Sequence, residues 1–408
     1  MLFSFIKNLF GIRNTNAAKL DFTEDNEYQK GFAAFYNANI RSIFEEYENT
    51  RIEILKTIQK RTWISIITIT ILTLIIEFSL HVTLADLISR ALAQERYEQY
   101  PLDAFTFSSK GLLIISIGLI FWALYPVVRY NKSLKGKALP EIIKFFKTWS
   151  VDFNRTINKD FLETSGIFSN KTAPINSTGL NTSRLYNAKD FFSGSYKDAN
   201  IEIEDIIISH NREAIFKGLL ILIESKKKFN GKTIVTNNGG ILHNLEEKLQ
   251  EKFQGMQLVT LEDIEFNTKF KVYSTDQVES RYLLTPAFMN RLLNISSLFA
   301  NYNKDRNNFY KKTINLMTPN SVKNSIFSLS PTLASMQLGM PEYNKTNLPY
   351  CSFNNNKLLI AIPCMQNLFE LNSVFEPVDT QNIKLIIQQF NMIFAIIEEL
   401  KLYQDIGM

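Results

Sequence analysis

The chain reads as an α+β protein that carries a membrane hairpin ahead of its sheet, and three observations predict this. Two long apolar runs, Trp63 to Leu84 and Gly111 to Val128, interrupt an otherwise polar sequence. Each is about long enough to cross a hydrocarbon core of roughly 30 Å as a helix. Alternating and β-branched residues then cluster in the middle of the chain, and an amphipathic run from Thr380 to Tyr403 closes it. The expected layout is an N-terminal cytoplasmic helical region (1–61) built on an amphipathic helix, a transmembrane hairpin with a short outward loop (62–129), and a cytoplasmic α+β domain (130–408) whose mixed sheet has flanking helices.

The lead, Met1 to Arg13, has an apolar stretch broken by Lys7 and no small-residue cleavage site after it. It therefore reads as a short amphipathic segment lying on a membrane surface rather than as a signal peptide. From Asp25 to Arg61 one helix is expected, because Phe32, Phe35, Tyr36, Ile40, Ile43, Phe44, Tyr47, Ile54, Leu55 and Ile58 recur at three- and four-residue intervals. Such a stripe needs a cover. The soluble domain, a second copy of the same helix, or a coiled-coil partner would each supply one, and self-association is the expectation carried forward.

Positive residues mark the outer limits of the hairpin, with Arg51, Lys56, Lys60 and Arg61 before it and Arg129, Lys132, Lys135 and Lys137 after it. The segment between the spans holds only Arg90, Arg96 and Lys110. The positive-inside bias then places both termini in the cytoplasm of a multi-pass protein of the cytoplasmic (inner) membrane, with Trp63, Trp122 and Tyr125 at the inner aromatic belt. Thr68, Thr70 and Thr73 can bond back to their own helix. Glu77 and His81 are harder to place in lipid and share a helix face, either as a proton or ion relay or as a polar pair held by the small-residue face of Gly111, Ser116 and Gly118. With the domain in the cytoplasm, the Asn-x-Ser/Thr triplets at Asn154, Asn170, Asn181 and Asn344 carry no glycosylation message.

After the second span a helix is expected from Ala138 to Phe153, then a polar loop from Asn154 to Asn187. Asn200 to Ser209 and Ala214 to Glu224 read as strands joined by a turn at His210 to Glu213. Asn230-Gly231 then suggests a tight reversal into Lys232 to Thr236, completing an antiparallel meander. Helices are expected at Leu242 to Phe253, Pro286 to Phe299 and Thr380 to Tyr403, and strands at Phe270 to Ser274 and Lys357 to Pro363.

Composition excludes several classes. The net charge of +5 is interspersed rather than blocked, so no stripe exists to neutralise successive phosphates and nucleic acid is not an expected partner. Two cysteines, Cys351 and Cys364, rule out a disulfide framework and a CxxC motif, leaving buried free thiols as the expectation and a single bridge as the alternative. Asn237-Asn238-Gly239-Gly240 lacks the Gly spacing and Lys-Ser/Thr of a P-loop, and Lys226-Lys227-Lys228 reads as a solvated hairpin end, or as a contact with anionic lipid headgroups where that turn faces the bilayer. His81, His210 and His243 sit in no Ser/His/Asp, Cys/His or HExxH setting. No metal or cofactor is implied.

The densest polar cluster runs from Leu258 to Arg291, with Glu262, Asp263, Glu265, Asp276, Glu279 and Arg281. Such carboxylates can do general acid–base work, for which Asp276, Glu279 and Arg281 are the candidates, or they can cap helices and pair with Arg281 and Arg291. Thr285-Pro286 has the form of a helix N-cap followed by proline at the first helical position. The run Leu261-Glu262-Asp263, Glu265-Phe266, Phe270 to Ser274 and Asp276 to Pro286, with Phe216-Lys217-Gly218-Leu219 before it, resembles the signature of the bacterial domain of unknown function 3137 family. In that signature Ser280 stands where a small alanine is expected. The resemblance implies a membrane-tethered cytoplasmic domain and assigns no catalytic residue. The expected function is a non-enzymatic scaffold or interaction module at the bilayer, partnered by lipid, by a second copy of itself or by another protein. The alternative is a membrane-associated hydrolase or ligand or lipid sensor using the cluster near Asp276.

Overall fold

A computed structural model describes residues 8–9, 18–25, 27–80, 102–168, 185–197, 199–210, 213–224, 229–237, 255–295, 348–364 and 368–400. The protein is α+β, and it divides into two compact units, Met1–Phe145 with Glu370–Leu385, and Phe146–Phe369 with Ile386–Met408.

The first unit is helical. Helix α1 spans Phe32–Asn39, α2 spans Arg41–Leu80 and α3 spans Leu102–Ile143. The single helix expected from Asp25 to Arg61 is therefore corrected. Gly31 enters α1 at φ 81°, where a side chain would be strained, and α1 stops at Ile40 before α2 begins. From Arg41 the helix then runs without a break into the first apolar run. The expected helix from Ala138 to Phe153 is corrected likewise: α3 ends at Ile143 and the chain is in a strand by Ser150.

Helices α2 and α3 pack antiparallel. The buried residues Phe44, Tyr47, Arg51, Leu55, Ile58, Thr62 and Ser65 of α2 face Ala123, Val127, Tyr130, Leu134, Ala138 and Ile142 of α3. Both sets advance by three or four residues, the pattern of a coiled-coil seam. Hydrogen bonds fix the level of one helix against the other: Tyr47 with Ser133 at 2.5 Å, and Ser65 to the Leu119 carbonyl at 3.2 Å. Most of the apolar stripe is thus covered within its own chain, while Phe35, Ile43 and Ile54 stay partly exposed. Aromatic contacts add to the cover, with Phe32 against Phe145 at 4.9 Å and Tyr47 against Tyr130 at 5.4 Å. Burying each such ring or branched chain contributes roughly 1.5–3 kcal/mol.

Arg51 is fully buried in this seam and is held by Glu48, three residues back, at 2.9 Å. The same Glu48 accepts the Val378 amide at 2.9 Å. That bond draws Glu370–Leu385 into the first unit, where Lys384 reaches Asp25 at 2.6 Å and Thr23 at 2.8 Å.

The apolar runs themselves leave their side chains uncovered. Ile64, Ile67, Ile71 and Leu74 on α2, and Ile114, Ile117, Ile120 and Phe121 on α3, are exposed. Both helices are long and apolar enough to cross a membrane. Thr70 and Thr73 bond back to Ile66 and Ile69, as expected of threonines that need no outside partner.

The second unit is built on a nine-stranded sheet in the order β1-β2-β3-β4-β9-β8-β5-β7-β6. The strands are β1 Ser150–Asp152, β2 Leu185–Tyr196, β3 Ala199–His210, β4 Glu213–Glu224, β5 Thr233–Asn237, β6 Gln257–Val259, β7 Phe270–Ser274, β8 Tyr350–Asn354 and β9 Lys357–Pro363. Every pairing among the described strands is antiparallel, so the sheet is not mixed. The expected strands at 200–209, 214–224, 270–274 and 357–363 are present. The expected reversal at Asn230-Gly231 is not: β5 pairs with β7 and β8, and the place beside β4 belongs to β9. Part of the polar stretch expected as loop is helix α4, Lys159–Thr164, capped by the Asn158 side chain. Three further short helices follow, α5 Ile264–Lys269, α6 Gln277–Leu283 and α7 at 286–295, and α8 spans Gln381–Leu400. The expected helix at 242–253, the Lys226–Lys228 turn and Gly239-Gly240 lie outside the described residues.

Alternation divides the sheet into two apolar faces. Phe191, Ile206, Ile208, Leu220, Leu222, Leu359 and Ala361 form one cluster with Ile157, Leu162, Ile167 and Phe168 from the α4 segment. On the other face Phe192 meets Phe369 at 4.5 Å and Phe390 of α8 at 5.1 Å, and Phe390 meets Trp149 edge-on at 5.9 Å.

Candidate functional site

The cluster near Asp276 forms where β5, β7 and α6 converge. Asp276 sits at the N-cap of α6, and one of its carboxylate oxygens accepts the Val278 and Glu279 amides, each at 2.9 Å. Asp, Ser and Thr are favoured at this position because the first amides of a helix have no partner inside it. Ser274 braces the cap, accepting the Asp276 amide at 3.1 Å and donating to the Asp276 carbonyl at 2.8 Å.

Glu279, one turn into α6, reaches across to the approach to β5. Its two oxygens accept the Asn230 amide at 2.8 Å and the Gly231 amide at 2.6 Å. Thr275 completes the clasp, accepting the Lys232 amide at 2.8 Å while its own amide donates to the Lys232 carbonyl at 3.0 Å. The fit at Gly231 is close: a Cβ there would stand 2.7 Å from the Asp276 Cβ and 3.2 Å from the Glu279 carboxylate. Asn230-Gly231, read from sequence as a hairpin turn, is instead the segment that Glu279 grips and Asp276 packs against.

Asp263 repeats the device at α5, accepting the Phe266 amide at 2.9 Å, and Thr285 does so at α7, accepting the Phe288 amide at 3.2 Å. Glu265 pairs with Lys269 one turn on, at 2.8 Å. Arg281 extends from α6 and donates to the Gln277 carbonyl of its own helix at 3.5 Å. The structure therefore brings Asp276 and Glu279 together on one clasp and leaves Arg281 on the helix surface. Among the described residues no group of three or more His, Cys, Asp or Glu is placed to hold a metal ion.

Cys351 and Cys364 are free and buried, as expected. Burial pushes the Cys351 thiol up from its ordinary range. Its neighbour Tyr350 is also pushed up, to about 12, by burial that a hydrogen bond from Asn237 only partly offsets. The backbone of Glu77 lies in α2. His81, His243 and residues 85–101 of the expected outward loop lie outside the described residues, while 102–110 of that loop are instead the first turns of α3.

One group escaped the sequence reading. Glu204 lies in the middle of β3, opposite Phe191 and Leu220, and is fully buried. One oxygen accepts the Ile157 amide at 3.4 Å and the other has no hydrogen-bond partner. Burial pushes this carboxyl up to about 7, against the hydrogen bonds of Thr156 and Ile157, and the nearby charges of Glu202 and Asp205 push the same way. The signal was in the alternation itself, which puts Glu204 on the face of Ile206 and Ile208.

No curated protein matches the chain. Among solved structures, the crystal structure of the mycobacterial trehalose monomycolate transport factor A, TtfA, aligns over 65% of this chain and 96% of that one, at 11% identity and a TM-score of 0.27. The family model described as protein of unknown function (DUF3137) matches residues 214–331 and 328–402. That span takes in β4, the clasp at Asp276 and Glu279, β9 and α8, and begins well after the hairpin. Over these residues, a little under half of its length, the chain is similar to the DUF3137 family.

Proposed function

We propose that the protein is a membrane-anchored, non-enzymatic interaction module, held at the cytoplasmic (inner) membrane by α2 and α3 with both termini in the cytoplasm. The observation that carries the non-enzymatic reading is the use made of the acidic cluster. Both oxygens of Glu279 and one of Asp276 are taken up by backbone amides, so Glu279 holds a loop to a helix and Asp276 caps that helix. The exposed apolar side chains of α2 and α3 support the anchor, and the Lys and Arg bias supports the orientation. In functional terms residues 1–61 and 62–129 serve as lead and anchor, and 130–408 presents the binding surface. Since most of the α2 stripe is covered internally, any homo-oligomer uses mainly another surface.

Affinity purification of the full chain from intact membranes tests the proposal. A stoichiometric protein partner is expected. A co-purified nucleotide, or an activity abolished by Asp276→Asn and Glu279→Gln while thermal stability is kept, would replace the module with the hydrolase or sensor reading. Labelling of a cysteine introduced at Tyr97 by an impermeant reagent in whole cells is expected. Labelling of an exposed position in 130–408 instead, with Tyr97→Cys silent, would overturn the orientation.

A further inference from the structure

At the base of the hairpin, just before the apolar run of α2 and just after that of α3, the surface is cationic. Lys56 and Lys60 on α2, and Arg129 and Lys132 on α3, are exposed, and no carboxylate among the described residues lies within ion-pair distance of them. Arg61 is different, because its guanidinium donates to the Trp122 carbonyl at 3.2 Å and lies over the Trp122 ring at 4.9 Å. The level of Arg61 with Trp122, and of Tyr47 with Ser133, puts all four free cations on one collar below the aromatic residues Trp63 and Trp122. At 1.5 Å rise per residue the collar is about 15 Å deep, comparable to the headgroup layer and the water next to it. Acidic residues are scarce there: Glu53 alone lies between Arg51 and Trp63, and none lies between Trp122 and Lys135. The chain's start is tied to the same place, with Asn8 donating to the Leu55 carbonyl at 3.2 Å and both Gln59 and Trp63 donating to the Leu9 carbonyl.

We infer that this collar is a binding surface for anionic phospholipid headgroups, made by Lys56, Lys60, Arg129 and Lys132. The inference rests on the proposed membrane anchor and deepens it, since the anchor alone needs only hydrocarbon. Compact, hydrated lysine charges suit a fluid layer of lipid phosphates that offers no fixed fork geometry. Four uncompensated cations share this collar, and each that lies within a Debye length of an anionic leaflet strengthens the attraction to it.

The test uses the full-length protein reconstituted in an equimolar mixture of phosphatidylcholine and phosphatidylglycerol, with retained lipids counted by native mass spectrometry. Enrichment of phosphatidylglycerol is expected, and the combined variant Lys56→Ser, Lys60→Ser, Arg129→Ser, Lys132→Ser should lower it about tenfold or more. A charge-conserving variant, Lys56→Arg, Lys60→Arg, Arg129→Lys, should keep it. No enrichment in the parent protein, an unchanged serine variant, or an equal loss in the charge-conserving variant would overturn the inference. Alkaline carbonate extraction of membranes separates the two levels of the argument. Protein that stays in the membrane without enriching the anionic lipid sinks the collar alone, whereas protein released by carbonate removes the anchor and the collar with it.

Discussion

Arg61 donates a guanidinium N–H to the carbonyl of Trp122 at 3.2 Å. That carbonyl is the one left without a helical donor by Pro126, four residues on, because proline has no N–H. An arginine of α2 thus repairs the break that a proline makes in α3, and its stacking over the Trp122 ring holds it there. Arg61→Ala should destabilise the hairpin by about 1–2 kcal/mol, and less where Pro126→Ala has already restored the helical bond. A double-mutant cycle on the detergent-solubilised protein measures the coupling. Additive effects would show that the two residues act separately.

The clasp at Glu279 gives a second forecast. Gly231→Ala places a methyl group 2.7 Å from the Asp276 side chain and should cost about 2 kcal/mol or more. Glu279→Gln, which keeps the shape but loses the charge on two amide bonds, should cost about 1–2 kcal/mol. Denaturant titration of both variants reads the two costs. A neutral Glu279→Gln would mean that the clasp contributes nothing to the fold.

Glu204 makes stability depend on pH near neutrality. Its carboxyl is raised from 4.5 to about 7 in the fold, so between those values the folded state holds a proton that the unfolded chain releases. Stability should therefore be greatest below about 4.5, fall by on the order of 3 kcal/mol as pH rises through the interval, and level off above about 7, other groups aside. Glu204→Gln should flatten that slope. Melting temperatures of parent and variant across this range test the point, and parallel slopes would refute it.

The covered stripe makes a fourth forecast. Phe44 and Ile58 are fully buried in the α2–α3 seam. Phe44→Asp or Ile58→Asp should lower stability by about 3–5 kcal/mol or prevent folding, because each buries an unpaired charge. Light scattering on the milder variants Phe44→Ala and Ile58→Ala should show unchanged mass with a lowered melting temperature. A change of mass at unchanged stability would return the stripe to the role of an interface between copies.

What could be read from sequence followed the strength of local signals. The β3 and β4 strands announced themselves through Ile203, Ile206, Ile208 and the run Leu219 to Ile223, and β9 through its own apolar run. Strand β2 did not, because Leu185–Tyr196 mixes Asn, Asp, Gly and Ser with aromatics and becomes a strand through pairing along the whole of β3. The helical period of the stripe was legible, but its cover was not, since Ala123, Val127 and Tyr130 lie within or beside an apolar run whose own pattern hides the seam. The acidic cluster was found by composition. Its geometry depended on Asn230 and Gly231, which only the fold brings to Glu279.

The pairing of β4 with β9, from Glu224 opposite Lys357 to Gly218 opposite Pro363, has a consequence for synthesis. A growing chain exposes the apolar edge of β4 from the time that strand leaves the ribosome until the last part of the protein follows it. During that wait the edge offers unpaired amides and carbonyls beside Leu219 to Ile223 to any extended neighbour. A nascent chain on this fold therefore stays apart from others only while that edge is shielded. Truncation before Lys357 would leave that edge permanently open, turning a premature stop from a loss of protein into a source of aggregates.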